Sequence, residues 1–343
     1  MERKIGCLTG GGDCPGLNPV IRAVVRKANQ AGLEVIGIRY GWKGLVTLDT
    51  MLLDAQSVSG ILPKGGTILG TSRTNPFKDE KQVVQVIDNY KKLDLEALIA
   101  IGGEDTLGVA AKFVGKGLQI IGIPKTIDND LSSTDYTFGF DTAVNIAMEA
   151  IDRLHTTAES HNRVMVVETM GRHAGWIAVY AGIAGGADVI LIPEEEIDLD
   201  RVCDLLRRRH SRGKQFSIVV VAEGAKFKKG EVVIQENKVD EFGHVRLGGV
   251  GHILGEKIEE KTGFETRVTV LGHVQRGGSP SAFDRILGTR FGIEAVQLVL
   301  QKKYGVMVSL QGNKIEAVSL QKIAGDLKLV DPSLYEIAKV FFG

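Results

Sequence analysis

The chain is poor in several things, and each shortage excludes a class of protein. Only three cysteines occur, Cys7, Cys14 and Cys203, with no Cys-x-x-Cys pair, so neither a disulfide framework nor a zinc site is expected. No apolar run approaches the 18 residues of a membrane span; the nearest, Ala178 to Ile192, is interrupted by glycines and Asp188. After Glu2, Arg3 and Lys4 the first apolar stretch breaks at Gly10-Gly11-Gly12-Asp13, too soon for a signal peptide. A cytoplasmic protein with no membrane partner is expected. Net charge is also missing: Lys plus Arg is 42 and Asp plus Glu is 42. A general nucleic-acid binder needs a basic surplus to displace counterions, so no nucleic-acid partner is expected. Low-complexity tracts and short repeats are absent. What the chain has in excess is glycine, 43 of 343 residues, nearly twice the usual ~7%.

Short apolar runs alternate with longer amphipathic segments, the pattern of βαβ units around parallel sheets. The strands read from sequence are Ile5 to Leu8, Val35 to Ile38, Ala97 to Ile101, Gln119 to Ile123, Val164 to Val167, Val189 to Ile192, Ser217 to Ala222 and Arg267 to Leu271. Helices are expected from about Pro19 to Ala31 and from about Leu107. Nearly every unusual polar cluster follows a strand directly, where open α/β sheets bind ligands. The charged segment Lys226 to Arg246 reads as a surface hairpin or loop.

Gly10 to Gly16 joins a strand to a helix, a junction whose N–H groups suit a phosphate. It lacks the dinucleotide Gly-x-Gly-x-x-Gly spacing, and Leu17-Asn18 stands where a P-loop needs Lys-Ser/Thr; a tight structural turn fits the same letters. Gly102-Gly103-Glu104-Asp105-Thr106 puts two carboxylates on a glycine turn. That suits a Mg²⁺-bearing phosphate loop, or simply a helix N-terminus. Lys125-Thr126-Ile127-Asp128-Asn129-Asp130 offers a lysine for phosphate and a carboxylate to deprotonate a hydroxyl, or ordinary turn chemistry. Arg163, Arg172 with His173, and Gly272 to Gly278 place arginine at strand ends, where its fork suits phosphate oxygens. The run Arg207 to His210 reads as a solvated helix face.

Taken in order, these segments resemble the phosphofructokinase family over nearly the whole chain. The most specific stretches are Thr126 to Asp130 and His273 to Gly278. The resemblance implies two three-layer α/β/α domains with mostly parallel sheets and a site in the cleft between them. The donor-binding domain would be 1–140 plus about 275–325, and the sugar-phosphate-binding domain 141–274 plus about 326–343. It implies phosphoryl transfer to the 1-hydroxyl of fructose 6-phosphate. Asp128 would be the base, Thr126 and Asp130 would align it, and Glu104 would hold Mg²⁺. Gly11, Gly12, Arg73 and Thr106 would contact the donor. Arg163, Arg267, His273 and Arg276 would grip the 6-phosphate, with Met170, Gly171, Arg172 and Glu223 around the sugar. Arg163 and Arg267 would come from a neighbouring subunit of a homo-oligomer.

Members using ATP carry glycine where Asp105 and Lys125 stand, and pyrophosphate-dependent members carry Asp and Lys. A carboxylate at 105 would repel an α-phosphate, and Lys125 would stabilise charge on the transferred group. The donor expected is pyrophosphate, with an ATP-dependent enzyme or a non-catalytic sugar-phosphate sensor as the alternatives. Arg22, Arg26, Arg212 and Lys214 fall near the family's nucleotide-effector positions. Ala55 and His155 stand where arginines belong, so little nucleotide regulation is expected.

Overall fold

A computed structural model describes residues 3–228, 248–323 and 327–343. In chain order the elements are β1 (Arg3–Thr9), α1 (Leu17–Gln30), β2 (Leu33–Ile38), α2 (Trp42–Thr47), β3 (Thr50–Leu53), α3 (Glu80–Lys92), β4 (Leu95–Gly102), α4 (Glu104–Val114), β5 (Ile120–Thr126), β6 (Phe138–Gly139) and α5 (Phe140–His161). They continue with β7 (Val164–Thr169), α6 (Trp176–Ala184), β8 (Val189–Leu191), α7 (Leu199–Ser211), β9 (Ser217–Ala222), α8 (Val250–Thr262), β10 (Thr266–Val270), α9 (Ala282–Leu300), β11 (Val306–Gln311), β12 (Lys314–Ser319) and α10 (Pro332–Lys339).

Two sheets result, and the α/β expectation with mostly parallel strands is met. The first runs β12-β11-β5-β4-β1-β2-β3, with β6 pairing β5. Its centre is parallel, and both edge pairs, β11 with β12 and β2 with β3, are antiparallel. The second, β10-β7-β9-β8, is parallel throughout. Strands buried on both faces explain the near-continuous apolar runs of β4 and β9. Strand order in the first sheet reverses between β1 and β4, which places the loops after both at a topological switch point. Among the described residues no helix is long and apolar enough to cross a membrane.

Several boundaries differ from the sequence reading, for physical reasons. Helix α4 starts at Glu104, not Leu107, because Glu104 and Asp105 are favourable beside the helix's unpaired N–H groups. Strand β5 continues past Ile123 to Thr126. Pro124, which lacks an N–H, falls where β11 has already left β5, and β6 then pairs with Lys125 and Thr126. Lys125 and Thr126 are therefore strand residues rather than loop residues. Strand β11, missed in the sequence, inserts beside β5. The Arg207–His210 face is only partly solvated: Arg209 pairs with the buried Asp188 at 2.9 Å, and His210 stacks on Phe264 at 4.5 Å. Most of the expected 226–246 hairpin lies outside the described residues.

Candidate active site

The C-terminal ends of β1, β4 and β5 carry the three polar segments of the first sheet to one place. Gly11, Gly12, Arg73, Glu104, Asp105, Thr106, Lys125, Thr126, Asp128 and Asp130 line a single cleft. Arg172, from the end of β7, and Arg276 complete its wall.

The glycine loop is shaped by what surrounds it. Gly10 N–H donates to Ile101 O at 2.9 Å and Gly11 N–H to Ser72 O at 3.1 Å. Those two donors are consumed within the protein, so the phosphate cradle expected from the loop does not include them. The loop's carbonyls are held by side chains: Thr71 donates to Gly11 O at 2.5 Å, Lys125 Nζ to Gly12 O, and Arg276 Nη1 to Asp13 O at 3.2 Å. A Cβ on Gly12 would lie 2.6 Å from Arg276 Nη1, so a larger residue there would displace the guanidinium from its place on the loop. Asn18, at the position of a P-loop's hydroxyl residue, pins the 64–68 segment instead, donating to Lys64 O and Gly65 O and accepting from Ile68 N–H. Thr71, Ser72 and Asn18 carry no local sequence signal, because their partners lie some 50 residues or more away.

Lys125 is 3% exposed. Burial lowers its pKa, Arg276 lowers it further, and Asp128 and Asp13 oppose the shift. Beyond the strand, the backbone turns sharply. Asn129 sits at φ 51°, accepting from Thr137 N–H at 3.1 Å, while Thr137 Oγ1 donates to Thr126 O at 2.8 Å. Thr126 Oγ1 accepts from Asp128 N–H at 3.1 Å. This scaffold fixes the Asp128 backbone and leaves Asp128 Oδ1 buried without a hydrogen-bond partner. A buried acceptor left unmatched costs about 1–3 kcal/mol, and a substrate hydroxyl would satisfy it. Burial, and then the neighbouring Asp128, push Asp130 up to about 7. Glu223 is raised too, by burial and by Asp128.

On the second sheet, β7 and β9 end side by side, with Glu223 N–H donating to Thr169 O at 2.8 Å. Met170, Gly171 and Arg172 leave β7 in a strained turn with Gly171 at φ 146° and Arg172 at φ 52°. Glu223 accepts from Arg172 N–H at 3.2 Å. The approach is close enough that a Cβ on Gly224 would sit 1.7 Å from Arg172 O. His273 is exposed, on the one-turn helix Gly272–Arg276 that follows β10.

Two expected residues are elsewhere. Arg163 precedes β7 and Arg267 begins β10, at the opposite end of these parallel strands from Arg172. Both pair with Glu265, Arg163 at 2.8 Å. Within one chain they do not reach the cleft. No cluster of three or more His, Cys, Asp or Glu residues that could cage a metal occurs among the described residues.

A family model described as Phosphofructokinase matches residues 4–299. The chain belongs to the phosphofructokinase family. It is 59% identical, over 99% of its length and all of the relative's, to the pyrophosphate–fructose 6-phosphate 1-phosphotransferase of Streptomyces coelicolor. It is 51% identical, over 98% of its length and 99% of the relative's, to ATP-dependent 6-phosphofructokinase 3 of the same organism. The crystal structure of a pyrophosphate-dependent phosphofructokinase from Marinobacter aquaeolei superposes with a TM-score of 0.82 at 22% identity, over 96% of this chain and 86% of that one. At that identity the match speaks for the fold alone, which it shares with the rest of the family.

Proposed function

We propose that the protein transfers a phosphoryl group from pyrophosphate to the 1-hydroxyl of fructose 6-phosphate, reversibly, giving fructose 1,6-bisphosphate and phosphate in the cytoplasm. The observation that carries this is the pairing of Asp105 with Lys125 on one cleft, Lys125 Nζ lying on the glycine loop itself. The Asp105 carboxylate would repel the α-phosphate of a nucleotide, and Lys125 would supply positive charge beside the glycine loop. Relatives 55–59% identical to the chain carry the pyrophosphate-dependent name, which supports the same donor.

The chemistry is a single in-line displacement, in which positioning and electrostatics do most of the work. Asp128 Oδ1 accepts the hydroxyl proton, and in the reverse direction returns it. Lys125 and Arg172 face the charge that develops on the transferred group. Arg276, braced on Asp13 O, joins the donor loop to the sugar-phosphate loop of His273. Met170, Gly171 and Glu223 shape the sugar pocket. Mg²⁺ fits the exposed Glu104 carboxylate, because this ion binds through one or two carboxylates together with substrate phosphates and needs no protein cage. When bound, it would neutralise charge on the donor.

The two sheets correspond to two domains, 1–140 with about 275–325 and 141–274 with about 326–343. Arg163 and Arg267, far from their own cleft, complete the site of a neighbouring subunit in a homo-oligomer. The deciding experiment compares initial rates on fructose 6-phosphate and Mg²⁺ with pyrophosphate or ATP at matched concentrations. Pyrophosphate is expected to exceed ATP by on the order of 100-fold, the effect of one well-placed charge in a buried site. A preference for ATP would overturn the donor assignment, and sugar binding without turnover of either donor would favour a sensor.

A further inference from the structure

Residues 327–330 run between the segment that follows β5 and the start of α6. On one side Lys328 N–H donates to Asp130 O at 2.9 Å, and Leu327 bridges antiparallel to Leu131. Lys328 Nζ donates to Thr134 O at 2.9 Å and to Asp135 O at 2.5 Å. Asp135 O also accepts from Asn129 Nδ2 at 3.4 Å, and Asn129 is the left-handed residue between Asp128 and Asp130. On the other side Trp176 Nε1 donates to Lys328 O at 2.9 Å, and Lys328 Nζ lies 5.0 Å from the Trp176 ring centroid. Val330 N–H donates to Glu194 at 2.9 Å, and the same carboxylate accepts from Gly175 N–H at 3.0 Å. Gly175 and Trp176 close the turn that carries Arg172. Burial pushes Lys328 down to about 8, against the pull of Asp135 and Asp130.

We propose that Lys328 is a positioning residue, and that with Glu194 it forms a strap fixing the catalytic segment Asp128–Asp130 relative to the Arg172 turn. It touches no substrate. Its ammonium gathers two carbonyls and, through one of them, Asn129, so the backbone that aims Asp128 is held from the second sheet. The inference rests on the role given above to Asp128 and Arg172.

The test measures Lys328→Met, Glu194→Ala and the double variant in the full-length protein. Each single change is expected to lower kcat about tenfold while fructose 6-phosphate affinity, by calorimetry, moves less than threefold, since misplacement of reacting groups by 1 Å costs up to ~100-fold in rate. The double variant should lose little more than the worse single, because both cut one strap. Lys328→Arg should restore part of the rate. Multiplying losses, or a lower Tm with unchanged kcat, would overturn the proposal. Hydrogen exchange of the 127–137 segment gives a readout independent of turnover, and should quicken in both single variants. If the wild type turned over neither donor, the proposed reaction would fail while this exchange result still decided the strap; unchanged exchange would overturn it.

Discussion

The donor half and the sugar half of the cleft are built differently. The first sheet supplies its whole share from one chain: Glu104, Asp105, Lys125 and Asp128 converge on a glycine loop whose carbonyls are already clamped. The second sheet delivers Arg172 through a strained turn and leaves Arg163 and Arg267 at the far end of its strands, tied to Glu265. A switch point concentrates chemistry within a single chain. If Arg163 and Arg267 serve a neighbouring subunit, as proposed, the second sheet sends part of its chemistry outward instead.

The sharpest way to break the donor half is Asp128→Asn. Removing a general base should lower kcat by on the order of 10³-fold, with fructose 6-phosphate binding retained in a calorimetric titration; equal turnover would refute the assignment. Next comes donor choice. Asp105→Gly with Lys125→Gly should reduce kcat/KM for pyrophosphate by about 10²–10³-fold and raise the rate with ATP, so the ratio of the two rates is the measurement. For the sugar half, Arg267→Ala should raise KM for fructose 6-phosphate roughly 10- to 100-fold, as for a lost hydrogen bond to a charged group. Mixing that variant with Asp128→Asn and allowing subunits to exchange should regain, at low fructose 6-phosphate, activity above the sum of the two alone. No regain would mean that each subunit's sugar site is self-contained.

A test of stability rather than turnover concerns Asp284 at the start of α9, fully buried, which accepts from Thr142 N–H at 2.9 Å and so joins α9 to α5. Burial raises its carboxyl from 3.8 to about 6. The folded state thus holds this proton more tightly than the unfolded chain does. The group's contribution is greatest below pH 4 and declines as pH rises to about 6, by at most roughly 3 kcal/mol for two pKa units. Asp284→Asn should flatten that decline in urea unfolding between pH 4 and 6.5, and an unchanged slope would place the titration elsewhere.

How much of this was legible depended on whether an interaction is local. Glycine turns after apolar runs marked the ends of β1, β4, β7 and β10, and the resemblance of Thr126 to Asp130 pointed to a segment that lines the cleft. Pro124 looks like a strand terminator, yet β5 continues through it because Pro124 pairs with Gly102 of β4 while the β11 side is unpaired at that point. The sequence reading credited the glycine loop with free N–H groups because Ser72, which takes one, is 61 residues away. Asn18, Lys328 and Glu194 were invisible for the same reason: each acts on backbone groups far along the chain, and backbone has no letter.

The insertion of β11 beside β5 has a consequence for synthesis. Thr126 ends β5, and Val306 begins its neighbour about 180 residues later. At roughly 5–20 residues per second, the ribosome leaves that strand edge uncovered for some 10–40 s while the entire second sheet emerges. During this interval the nascent chain presents an apolar, unpaired β-edge at Ile121 and Gly122. Of all stages in the protein's life, this is the one at which a chaperone has most to protect.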